Sequence, residues 1–122
     1  IENNPPLNPT IQGPSSGKIE SEIEFTFVTT DPDGDDVYYC VDWGDDSEEV
    51  CLGPYKSGEE VTVKHTWVEE GAYAIRVKAR DTNDLESDWV EFEISMPKSK
   101  FNYLNRFVFL DRILEFIYNL VS

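Results

Sequence analysis

The stretch Cys40-Val41-Asp42-Trp43-Gly44-Asp45-Asp46-Ser47-Glu48-Glu49-Val50-Cys51 decides the fold. Its centre, Gly44-Asp45-Asp46-Ser47, is turn chemistry: Asp hydrogen-bonds its own backbone, and Gly reaches conformations closed to other residues. Folding the chain between Asp45 and Asp46 sets Trp43 opposite Glu48, Asp42 opposite Glu49, Val41 opposite Val50 and Cys40 opposite Cys51. Directly opposed cross-strand Cβ atoms lie ~4.5–5.5 Å apart, within reach of a disulfide when the pair is a close one. The expectation is a hairpin with a Cys40–Cys51 bond, and hence an oxidising, extracellular setting. Two buried free thiols are the alternative. No CxxC spacing occurs, and the single His65 has no second His or Cys with which to form a zinc set.

Outward from the hairpin, the chain reads as short strands. Residues 1–17 are rich in Pro, Asn, Ser and Gly, and form an extended lead-in with one short strand near Thr10–Gln12. Glu22 to Val28 alternates polar with apolar, the pattern of a half-buried strand. Thr30 to Asp36 is a turn. Strands follow over Val37–Trp43 and Glu48–Leu52, then a loop over Gly53–Gly58. Further alternation places strands at Val61–Trp67, Tyr73–Ala79 and Trp89–Ile94. Short strands with turns every 8–12 residues indicate an antiparallel sandwich, here spanning 18–96. Residues 97–100 are a polar linker, and 101–122 are a different kind of sequence. The start, Ile1–Pro6, reads either as a mature end after processing or as the cut edge of a longer chain.

Charge divides at the same place. Residues 1–96 hold six Lys/Arg against 23 Asp/Glu, net −17, whereas 97–122 carry four against two, net +2. So acidic a domain is a poor partner for nucleic acid or anionic lipid, which need basic patches. It suits cations, and most of the charge is read as a solvated surface. The group Asp42, Asp45, Asp46, Glu48 and Glu49 is read as a solvated hairpin rather than a metal site.

The acidic turn Asp31-Pro32-Asp33-Gly34-Asp35-Asp36 is the best candidate site. Hard carboxylate oxygens grouped on a tight backbone suit Ca²⁺, which takes 6–8 oxygen ligands. The competing reading is a set of Asx turns in which these side chains cap their own backbone. It is not an EF-hand, since the twelfth-position Glu and helical flanks are missing. No acid pair, Gly-x-Ser-x-Gly or phosphate loop stands out, and His65 within an alternating strand reads as a packed, hydrogen-bonded side chain rather than a base. Trp43 and Trp67 are expected in the core. Tyr38, Tyr39, Tyr55 and Trp89 are expected at the surface, able to meet sugar or polymer.

The motifs together resemble one family. Val41-Asp42-Trp43-Gly44-Asp45-Asp46-Ser47 is similar to the WGDG-type turn of the PKD (polycystic kidney disease) domain. Thr30–Asp35 resembles its acidic turn, His65-Thr66-Trp67 its H-x-[FYW] strand, and Gly71-x-Tyr73-x-Ile75-x-Val77 its G-x-Y-x-V-x-[LV] strand. Ala79-x-Asp81 followed by Ser87-x-Trp89 resembles its last turn and strand. The resemblance covers about residues 3–96. Asp46 departs from it, standing where the family usually has Gly, and the cysteine pair is not a family hallmark. The resemblance implies an immunoglobulin-like β-sandwich, a place outside the cell in archaeal and bacterial surface proteins or secreted hydrolases, and no catalytic role. It also implies a calcium site of the kind some such domains carry, with Asn3, Asp31, Asp33 and Asp81 matching its ligands beside Asp35 of the same turn.

Phe101–Ser122 reads at 100° per residue as a helix of about five turns. Asp111, Arg112, Glu115, Asn119 and Ser122 share one arc of about 100°, while Phe107, Leu110, Ile113, Leu114, Ile117, Leu120 and Val121 lie in an apolar arc about twice as wide. That is more than one docking surface covers. No run of 18 apolar residues is present for an ordinary membrane span. The favoured expectation is that copies of the chain associate through this face into an oligomer or filament outside the cell. Contact with a membrane interface is less favoured, because the polar arc is small and not basic. Folding back onto the sandwich is the third possibility. The rival function is an accessory binding or adhesion module of a secreted or surface protein, taking a carbohydrate or protein ligand.

Overall fold

Alternation of large apolar side chains puts one row of each strand in the interior, and the computed structural model, which describes residues 3–97, shows what those rows assemble into. Seven strands form two sheets. The smaller sheet has the order β1-β2-β5, from β1 (Thr10–Gln12), β2 (Ile23–Val28) and β5 (Val61–His65). The larger has the order β4-β3-β6-β7, from β4 (Val50–Tyr55), β3 (Val37–Asp42), β6 (Gly71–Asp81) and β7 (Val90–Met96). All strand pairs are antiparallel.

The core lies between them. Ile23, Phe25 and Phe27 of β2 face Tyr39 and Val41 of β3, Ile75 and Val77 of β6 and Ile94 of β7, all buried. Trp43 and Trp67 close one end, as expected. Phe25 is fully buried, with ring centroids 5.8 Å from Trp43 and 5.9 Å from both Trp67 and Phe92. Burying each such side chain contributes about 1.5–3 kcal/mol, so this row fixes which face of every strand looks inward.

The hairpin register is the one the Asp45/Asp46 turn dictates: Val41 pairs with Val50 and Cys40 with Cys51. Cys40 and Cys51 are joined in a disulfide. Asp46 takes a positive φ of 64°, the conformation for which the family's usual Gly is suited. β4 differs from expectation. It starts later and runs on through Gly53 and Pro54 to Tyr55, where the sequence predicts a loop. Its position explains this, since an edge strand tolerates a proline whose missing N–H faces outward. The pairing with β3 also shifts register between Val37 and Tyr39, which accommodates the extra residue.

The lead-in is more than an approach. Ser15 to Gly17 cross to the larger sheet and form a parallel bridge with β7, through Gly17 N–H to Ser95 O at 3.0 Å and Ser95 N–H to Ser15 O at 2.9 Å. The expected helix over 101–122, with its interface residues Phe107 to Val121, lies outside the described residues.

Candidate metal centre

Asp31 opens the β2–β3 turn, and its position follows from the backbone it caps. Its Oδ2 accepts from the N–H groups of Asp33 at 3.0 Å and Asp35 at 3.1 Å, while its own N–H donates to Ser57 Oγ at 2.8 Å. Asp81 ends β6 in the same manner: Oδ1 accepts from Asn83 N–H at 2.8 Å and Leu85 N–H at 3.0 Å. The Asx-turn reading is thus satisfied by one oxygen of each residue. The second oxygens point elsewhere. Asp81 Oδ2 accepts from Asn3 Nδ2 at 2.8 Å, and Asp31 Oδ1 is buried with no partner among the described residues.

Register brings the two turns to one pole, since Val37 at the start of β3 pairs with Asp81 at the end of β6. There Asp31, Asp35 and Asp81 each offer a carboxylate oxygen within 4.8 Å of the others. Asp31 and Asp81 are buried, at 5% and 0% exposure. Burial pushes the Asp35 carboxyl up, and the charges of Asp31, Asp33, Asp81 and Asp36 push it the same way. At Asp81 burial also raises the pKa, but the hydrogen bonds from Asn3, Leu85 and Asn83 outweigh it and hold the group below its ordinary value. Asp33 is not gathered in: its Oδ2 accepts from Asn4 N–H at 2.6 Å and fastens the lead-in.

The donor set fits a hard cation. It is all oxygen, it concentrates negative charge that lacks a counter-ion among the described residues, and it holds an orphaned buried carboxylate oxygen, which costs on the order of 1–3 kcal/mol left unmade. Asn3, with its amide nitrogen on Asp81, keeps its side-chain oxygen as a neutral donor. Neither Ser57 nor Asn4 is marked by any pattern in the sequence. Both contacts run between a backbone N–H and a distant side chain, which leaves no local pattern to read.

The aromatic surface is not as expected. Tyr39 is wholly buried, because it shares the inward face of β3 with Val37 and Val41; its hydroxyl accepts from Thr29 N–H at 2.9 Å. Tyr55 packs partly against the core. Arg80 lies 5.3 Å over the Tyr38 ring, and Arg76 and Lys78 lie 4.8 and 4.6 Å from the centre of Trp89. Each ring therefore has a cation against it and stays half-exposed. His65 is packed and hydrogen-bonded, its Nε2 2.7 Å from Asp45 Oδ2.

The PKD domain model matches residues 10–94. The chain belongs to the PKD domain family. Among solved structures it is similar to the PKD domain of an M14-like peptidase from Thermoplasmatales archaeon SCGC AB-540-F20, at 47% identity and a TM-score of 0.76, covering 80% of this chain and all of that one. No curated protein matches. PKD domains are non-catalytic modules, typically found in surface and secreted proteins, and the sandwich described above is of that type.

Proposed function

We propose that this PKD domain is a non-catalytic accessory or adhesion module of a larger protein secreted from, or held on the surface of, the cell. The observation that carries the reading is the match at 47% identity to the whole of a domain that is itself part of a peptidase. The ligand is a protein or a carbohydrate, and the cations beside the half-exposed Tyr38 and Trp89 rings make sugar stacking there the less favoured of the two. Binding of the labelled chain to immobilised cell-envelope protein and to insoluble polysaccharide tests this. Retention by protein alone supports it, and retention by neither sinks it.

Calcium is the cation that the pole of Asn3, Asp31, Asp35 and Asp81 suits. Bound there it would neutralise the carboxylates and tie the lead-in to both turns. Thermal unfolding in calcium and in chelator tests the site. The expected result is a Tm several degrees higher in calcium, an effect lost in Asp31→Asn. An equal Tm in both media rejects it.

A second reading is self-association through the wide apolar arc of Phe107, Leu110, Ile113, Leu114, Ile117, Leu120 and Val121. Sedimentation of the full chain decides it: particles well above the 14.0 kDa of one chain favour assembly, and a monomer removes it.

A further inference from the structure

At the pole opposite the carboxylates, the β3–β4 turn and the β5–β6 loop flank an open recess of about 190 Å³. Gly44, Asp45 and Asp46 form one wall, and Thr66, Val68, Glu69 and Tyr73 the other. The walls are fixed. Asp45 is held by His65 and by the amide and hydroxyl of Ser47, and Tyr73 donates its hydroxyl proton to Glu69 O at 2.6 Å. Its chemistry is mixed: Val68, 68% exposed, gives an apolar surface beside Tyr73, and the rim carries three carboxylates with no Lys or Arg. Among the described residues neither Asp46 nor Glu69 has an ionic partner.

The chain leaves the sandwich at this pole. Met96 pairs with Gly71, two residues along β6 from Tyr73. The next residues are Lys98-Ser99-Lys100-Phe101, two cations and a large ring at the head of a segment of net charge +2. Four extended residues span up to roughly 14 Å. That is ample to return from Pro97 to a recess that borders the neighbouring strand.

We propose that this recess is the seat of the chain's own Lys98–Phe101 segment, with the lysines on Asp46 and Glu69 and the Phe101 ring covering Val68 against Tyr73. Charge complementarity and reach single out this occupant. A preformed recess takes a tethered segment at little entropic cost. The seat sets the direction in which everything after Pro97 departs, whether or not that part associates.

The test is nuclear magnetic resonance on the full chain at low concentration, reading the Val68 methyl and Tyr73 ring signals. Lys98→Glu, Lys100→Glu and Phe101→Ser lie beyond the sandwich core and leave its other signals in place. Together they are expected to displace the Val68 and Tyr73 signals. The charge-reversed combination of Lys98→Glu and Lys100→Glu with Asp46→Lys and Glu69→Lys is expected to restore them. Val68 and Tyr73 signals identical in the parent and the tail variant overturn the proposal. So does a displacement that grows with protein concentration, which assigns the seat to the tail of a second copy.

Discussion

The ring of His65 lies flat on that of Trp43, centroids 4.4 Å apart and planes 6° from parallel, while its Nε2 meets Asp45 Oδ2 at 2.7 Å. One side chain of the smaller sheet thereby grips both the core and the turn of the larger sheet's hairpin.

This grip has a pH signature. Burial raises the Asp45 carboxyl, but the hydrogen bonds from Ser47 and His65 outweigh it and hold the group below its ordinary value. A depressed carboxyl contributes stability that is present above its unfolded pKa and is lost as pH falls through the folded one. Asp45→Asn is expected to cost about 1 kcal/mol near pH 6, with the difference from the parent shrinking below about pH 4. Urea unfolding of both proteins at the two pH values measures it.

Gly44 has a φ of 77°, and a Cβ there would meet Ala74 O at 2.5 Å. The obstacle is backbone, which cannot swing aside. Gly34→Ala, where the φ is also positive but nothing lies within 4 Å, is expected to lose about 1–2 kcal/mol from the left-handed backbone alone, and Gly44→Ala clearly more. A gap between the two midpoints in denaturant checks the steric part; equal losses would leave only the φ penalty.

The Cys40–Cys51 bond closes a loop of 11 residues. On the loop-entropy account that is worth about 2.5–3 kcal/mol, and Cys40→Ala with Cys51→Ala is expected to lower stability by that order. Among the described residues β4 is an edge strand held to the sheet by β3 alone, so the loss should appear first in its amide exchange.

Removing Asp81 is a separate matter from any bound ion. Asp81→Ala strips acceptors from Asn83 N–H, Leu85 N–H and Asn3 Nδ2 at a fully buried position. The expected cost is roughly 3 kcal/mol even in chelator. Asp81→Asn, which keeps an acceptor for the turn, is expected to lose less.

Much of this was legible beforehand because the deciding signals are local. Alternation placed Phe25, Trp43 and Trp67 inside, and the symmetry of the hairpin about Asp45 and Asp46 gave the Cys40–Cys51 register. Tyr39 departs from the expected surface position because the same alternation puts it beside Val37 and Val41, where the Thr29 amide meets its hydroxyl. β4 outran its reading because Gly53-Pro54 signals a loop locally, whereas tolerance of proline depends on having a neighbour on one side only. At the carboxylate pole, Asp31, Asp35 and Asp81 stand together among the residues that the sequence names, while one oxygen of Asp33 takes the Asn4 amide. Which oxygen caps a turn and which is left over depends on how the two turns face each other.

The parallel bridge between Ser15–Gly17 and Ser95 has a mechanical consequence. Asn3 sits at the Asp81 end of β6 and Met96 at its Gly71 end, eleven residues and so roughly 33 Å apart along the strand. Tension drawn through the backbone from one pole to the other would slide the entry segment and β7 past each other. The two bonds of that bridge would then be strained together, as a seam in shear, and would not open one by one like a zip.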